Sequence, residues 1–157
     1  VFVFSCFTGL AYCDAQALTA EHIIVGPNGA PWLRTHRQKT STPVDVPLLD
    51  VPLQILVKYE GCSGDDRLLP IPANQKCNDY LKEIAAICGI EKRLTFHLAR
   101  HTFATTVTLT NGVPIESVSK MLGHRSLKTT QIYAKIVNDK LAEDMTNLST
   151  RLQHLAM

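Results

Sequence analysis

The sequence predicts an α+β domain, mainly α, in which helices surround a small three-stranded antiparallel sheet. Three observations predict it. At 157 residues the chain is long enough to bury a core and too short for two full domains. A composition of 45% hydrophobic and 19% charged residues is that of a globular protein and excludes a disordered chain or a coiled-coil rod. Period-two segments framed by turn residues are confined to residues 22–46, whereas apolar residues at helical spacing dominate the remainder.

The elements follow in order. Residues 1–9 read as an apolar helix already under way at Val1 and closed near Gly9, so the chain is expected to be a fragment of a longer protein. A short helical turn over 14–18 has Asp14 as its capping oxygen. Strands are expected over 22–25, 32–38 and 44–46, joined by the turn residues Gly26-Pro27-Asn28-Gly29 and Lys39-Thr40-Ser41-Thr42. Leu53, Ile55, Leu56 and Tyr59 suggest a helix from about Asp50 to before Gly61, and 62–73 is loop. Asn74 caps a helix through Cys88, with Leu81, Ile84, Ala85 and Cys88 on one face and Gly89 as its stop. Thr95 caps the next, which runs to Asn111-Gly112. Pro114 opens a short helix ended by Gly123, Ser126 caps one through Ile136, and 139–155 carries Leu141, Met145, Leu148 and Leu152 at helical spacing.

Bulk charge, at +2, does not by itself call for nucleic acid. Between Glu91 and Lys135, however, seven basic residues face two acidic ones, a local +5, and three of the six histidines lie there. Five cysteines without a CxxC pair indicate neither a disulfide framework nor a zinc ribbon, and a reducing cytosol is the default. The apolar run 1–13 is interrupted by Ser5, Thr8 and Gly9, has no basic leader and falls short of a membrane span. No membrane partner is expected.

On a helix starting near Thr95, His97, Arg100 and His101 are three and four residues apart and share a surface. His124 follows the Leu122-Gly123 turn, and Tyr133 lies nine residues further on. A guanidinium fork matches two non-bridging phosphate oxygens, imidazoles donate further hydrogen bonds, and a phenol oxygen can attack phosphorus. His97 and His101 alone make half a metal site, but the glutamate of a zincin motif is absent, so no metal is expected. Taken singly, Tyr133 is an ordinary packing residue and His124 an ordinary turn residue.

Taken together, Thr95-Phe96-His97-Leu98-Ala99-Arg100-His101-Thr102-Phe103-Ala104-Thr105, Leu122-Gly123-His124 and Thr129-Thr130-Gln131-Ile132-Tyr133 resemble the second signature box of the tyrosine recombinase (phage integrase) family. Phe7-Thr8-Gly9-Leu10 resembles the start of its first box. The resemblance implies the helical catalytic domain of tyrosine recombinases over residues 1–157, without the amino-terminal core-binding domain. It implies a site-specific recombinase that cuts and rejoins DNA through a 3′-phosphotyrosine, serving integration or excision of a mobile element like the integrases of conjugative transposons. Tyr133 would be the nucleophile, Arg100 would hold the non-bridging oxygens, and His97 and His124 would donate to the transition state or move the phenolic proton. The family's hairpin lysine, the general acid for the 5′ oxygen, corresponds to Lys39, followed by Val44-Asp45-Val46-Pro47-Leu48. No cofactor is required, since fixed donors stabilise the charge. The partners implied are double-stranded DNA, further copies of the protein in a DNA-bound tetramer, and accessory DNA-bending proteins, in the bacterial cytoplasm at the nucleoid. Arg93, Arg125 and Lys128, in the basic stretch, are expected DNA contacts.

One departure stands out. Where the family shows Thr-Gly-Leu-Arg, this chain reads Thr8-Gly9-Leu10-Ala11, although the supporting acid is retained as Asp14. The first catalytic arginine is missing. Arg37, or failing it Arg34, both beside Lys39, is the expected substitute. Two competing readings are a nicking and closing activity of the type IB topoisomerase kind and a catalytically silent DNA-binding module.

Overall fold

The computed structural model describes residues 1–134 and 145–146 of the chain. Helix α1, Phe2–Thr8, is buried through Phe4 and Thr8, the latter donating its hydroxyl to the Phe4 carbonyl at 2.9 Å. It ends at Gly9, whose φ of 71° is left-handed; a Cβ there would lie 2.4 Å from the Phe103 ring, so only glycine lets the chain turn this close to its neighbour. Helix α2, Tyr12–Gln16, and a 3-10 turn, Ala20–His22, lead into the sheet.

Strands β1 (Ile23–Val25), β2 (Pro31–His36) and β3 (Pro43–Pro47) form an antiparallel meander in sequence order. Leu33 stands opposite both Ile23 and Val46, and Thr35 opposite Val44. Because side chains alternate, Leu33, Val44 and Val46 are sealed while Arg34 and Asp45 take the other face. That inner face meets Phe4, Leu10, Leu18, Leu69, Phe103 and Leu122 in one core.

Helices α3 (Asp50–Lys58) and α4 (Asn74–Ile87) flank the core; α5 (His97–Thr102), α6 (Ile115–Met121) and α7 (Leu127–Ala134) carry the second box. Helices around a three-stranded antiparallel sheet are what the sequence predicts, and Ser126 does cap α7, accepting the Lys128 amide at 3.3 Å.

Three expected caps are corrected. Asp14 lies inside α2, and its buried carboxylate accepts the Gln38 amide at 3.0 Å instead, tying α2 to the end of the sheet. Asn74 is the first residue of α4 rather than its cap, and its oxygen pairs with Asn78. Thr95 contributes its backbone carbonyl to Leu98, not its hydroxyl, because the helix begins only at His97. Of the face foreseen on α4, Leu81 and Ala85 are buried, whereas Ile84 and Cys88 are exposed. The single helix expected over 95–111 is interrupted as well: a π segment, Phe103–Thr108, and a 3-10 turn, Leu109–Asn111, follow α5. The Thr108 hydroxyl donates to the Phe103 and Ala104 carbonyls at 2.9 and 2.8 Å, competing with the backbone ladder in a β-branched run. Of the helix foreseen over 139–155 only residues 145–146 are described, and they are helical; the end of the helix expected to reach Ile136 lies outside the described residues.

Candidate active site

Arg100 emerges from α5 into the centre of the molecule and is 3% exposed. Its Nη1 donates to the Gly9 carbonyl at 2.6 Å and its Nη2 to the Leu122 carbonyl. Gly9 and Leu122 close α1 and α6, so the guanidinium is held by the negative ends of two helices. Both signature boxes are thereby fastened to one side chain. Burial, and then the nearby charge of Arg37, push the Arg100 guanidinium down to about 10, which leaves it cationic at neutral pH.

Around it stand the other groups. His97 meets His101 edge to face at 4.8 Å, and His101 meets Tyr133 edge to face at 5.1 Å. The His124 ring lies parallel to Tyr133, 6.4 Å between centroids and 8° between planes. Tyr133 thus has two imidazoles beside it and is 3% exposed. The Nδ1 of His124 and the hydroxyl of Thr130 share a hydrogen bond of 2.8 Å, which orients the ring and leaves Nε2 for other work. Burial, then Arg100 and Arg37, push His124 down to about 4. His97 is lowered by burial, then by His101, Arg100 and Arg37. Both imidazoles are neutral at pH 7.

Gly123 allows this corner to form. Its φ is 61°, and a Cβ there would stand 2.6 Å from Val44 Cγ2 and 3.3 Å from Arg37 Cβ. The Leu122-Gly123-His124 turn can therefore lie directly against the hairpin.

The remaining foreseen residues separate into groups. Arg37 depresses all three of His97, Arg100 and His124 by its charge, and its Nε is buried without a hydrogen-bond partner. Arg34 points to the opposite face of the sheet and pairs with Asp45 at 2.6 Å in solvent. The parity of the strand separates the two: position 37 continues the inward set of 33 and 35, position 34 does not. Ala11 lines a cleft of about 350 Å³ together with His97 and Arg100. Lys39 is exposed at the tip of the β2–β3 turn. Arg93 and Lys128 are exposed, and Arg125 directs Nε and Nη2 at the Thr40 carbonyl at 3.1 and 2.5 Å. His101 and Thr130 were not singled out as site residues from the sequence; the spacing of His97 and His101 carried a signal for the first, while the contact of Thr130 arises only in three dimensions. Among the described residues no cluster of three or more His, Cys, Asp or Glu could hold a metal, and no helix is long and apolar enough to cross a membrane.

With this geometry in view, the chain can be set beside known proteins. The family model described as "Phage integrase family" matches residues 7–139. The tyrosine recombinase XerD of Listeria monocytogenes is 46% identical over 63 residues, 40% of this chain and 21% of that protein. The crystal structure of XerA recombinase superposes with a TM-score of 0.69 and 25% identity, covering 90% of this chain and 54% of the other. A Tn1549 transposon integrase in complex with transposon right end DNA shares the fold, with a TM-score of 0.67 and 15% identity over 94% of this chain and 57% of that one. The chain spans about a fifth of the length of the curated relatives it matches.

Proposed function

This chain belongs to the phage integrase family, and we propose that it is the catalytic part of a tyrosine recombinase that cuts and rejoins double-stranded DNA through a 3′-phosphotyrosine. The observation that carries the reading is the convergence of Arg100, His97, His124 and Tyr133, from segments far apart in sequence, with two guanidiniums and, among the described residues, no carboxylate hydrogen-bonded to Arg100. Such a site favours an anion, and a phosphodiester is the anion that this fork and these imidazoles fit.

The chemistry is a transesterification. The Tyr133 oxygen forms a bond to phosphorus as the bond from phosphorus to the 5′ oxygen breaks. The phenolic proton passes to the His124 imidazole, which Thr130 holds in orientation. Lys39 gives a proton to the departing 5′ oxygen. Arg100, Arg37 and His97 donate to the non-bridging oxygens while charge accumulates there, a contribution of about 10²- to 10³-fold for each well-aimed donor. A 5′ hydroxyl from another strand reverses the steps. Bond energy is kept in the phosphotyrosine, so neither ATP nor a cofactor takes part. Arg37 stands in for the cation that Ala11 lacks, and its buried, unpartnered Nε supports that role.

Arg93 and Lys128 join the phosphate contacts that hold the duplex. At the level of the whole protein the reading is site-specific recombination of a mobile element by a homotetramer on DNA, assisted by DNA-bending proteins, in the bacterial cytoplasm. The transposon integrase fold and the local charge of the second box favour it. A nicked suicide duplex carrying the element's end tests the chemistry. A covalent adduct mapped to Tyr133, and lost in Tyr133→Phe, is expected; an adduct on another residue, or one that survives the substitution, contradicts it.

A further inference from the structure

The β2–β3 turn is fastened on both sides of Lys39. On the near side the Gln38 amide donates to the buried carboxylate of Asp14 at 3.0 Å, and the Gln38 side chain donates to the Cys13 carbonyl at 3.3 Å. On the far side the Thr40 hydroxyl donates to the Gly123 carbonyl at 3.3 Å, and Arg125 closes on the Thr40 carbonyl with Nε and Nη2. Within the turn Thr40 and Ser41 both donate to the Arg37 carbonyl, and Ser41 takes a left-handed φ of 53°. Lys39 alone in this stretch extends a charged side chain into solvent. A hairpin turn on the surface ordinarily has its position set by its two strands alone. This one is tied to the first box through α2 and to the second through Arg125.

We infer that Arg125 is a positioning residue for Lys39: by gripping the Thr40 carbonyl it fixes the backbone from which the ammonium reaches the departing 5′ oxygen. The geometry of Arg125 differs from that of a phosphate contact. Here the edge formed by Nε and Nη2 is turned onto a single protein carbonyl in two charge-assisted bonds, so that edge is engaged by the hairpin. The inference rests on the reading of Lys39 as general acid, and it turns Arg125 from a DNA contact into part of the proton-donating apparatus.

A leaving-group test separates these roles. When the bridging 5′ oxygen of the scissile phosphate is replaced by sulfur, the departing thiolate needs no proton, because a thiol ionises near pH 8.5 whereas an alcohol does not. Single-turnover cleavage is measured with saturating full chain on oxygen and sulfur duplexes. Lys39→Ala is expected to lose about a hundredfold on oxygen, the ordinary worth of a general acid, and to recover on sulfur. Arg125→Ala is expected to lose about tenfold on oxygen, as suits a misplaced group, and to recover on sulfur in the same way. Arg125→Lys should recover part of the oxygen rate, since one charged donor still reaches Thr40. Should Arg125→Ala not fold, Thr40→Val, which removes the bond to Gly123, replaces it and is expected to lose a few-fold on oxygen only, about the effect of one hydrogen bond. Equal loss on both substrates, or no loss on either, for the Arg125 and Thr40 variants while Lys39→Ala recovers on sulfur overturns the positioning role alone. Failure of Lys39→Ala to recover on sulfur overturns the general-acid reading and the positioning role with it.

Discussion

The two boxes that meet at Arg100 are built on different terms. In the second, the cation and the rings stand on their own elements: α5 spaces His97, Arg100 and His101, Gly123 turns the chain toward the hairpin, and Thr130 orients His124 from the next helix. In the first, the framework is intact while the cation is gone. Gly9 still offers its carbonyl to Arg100 and Asp14 still braces the hairpin, yet position 11 is an alanine beside a cleft of about 350 Å³. A site can therefore lose a charge from one element and keep its electrostatics if a neighbouring element holds a guanidinium in range. In the reading proposed above Arg37 is that neighbour, its charge lowering His97, Arg100 and His124.

The sharpest way to break this comparison is to remove the substitute. Arg37→Ala should lower single-turnover cleavage about 10²- to 10³-fold, the cost of one transition-state donor, with the melting temperature little changed. Adding Ala11→Arg to that variant should return a measurable part of the rate, because the cleft at position 11 opens beside His97 and Arg100. Gly123→Ala tests the corner that brings hairpin and turn together. With a left-handed φ and a Cβ 2.6 Å from Val44, it should cost about 1–3 kcal/mol in chemical denaturation.

A smaller effect concerns pH. The folded protein depresses His124 from its ordinary 6.5 to about 4. Below pH 6.5 the unfolded chain binds a proton that the folded one refuses, so stability is fully present above 6.5 and declines as pH falls toward 4. His124→Gln should make the melting temperature less dependent on pH across that window. The smallest effect is expected from Arg34→Ala, which removes a solvent-exposed pair with Asp45: cleavage should stay within about twofold and stability within about 0.5 kcal/mol. A large catalytic loss there would reverse the roles given to Arg34 and Arg37.

Much of this architecture was readable along the chain. The meander could be drawn from alternation and from the turn residues around Asn28-Gly29, and the second box from the spacing of His97, Arg100 and His101 on one helical face. Asp14 misled, because a carboxylate at a helix start is ordinarily a cap, and its true partner, the Gln38 amide, is 24 residues away. The π segment escaped for a related reason: whether the Thr108 hydroxyl competes with the backbone ladder depends on packing, not on spacing. The sequence ranks Arg37 before Arg34 without a structural reason, and the strand's inward set, known from the burial of Leu33 and Val44, supplies one. Periodicity specified the elements, while the bonds between elements had to be seen.

The shared hold of Arg37 and Arg100 on a single phosphate is tested most directly by a duplex in which one charged non-bridging oxygen at the scissile position is replaced by a methyl group. Without that negative charge the reaction no longer needs two cations. Cleavage of the methylphosphonate duplex by Arg37→Ala should match that of the unsubstituted protein, against a loss of at least about a hundredfold on the ordinary phosphodiester. An equal loss on both duplexes would contradict the account, because Arg37 would then act on something other than the charge at phosphorus.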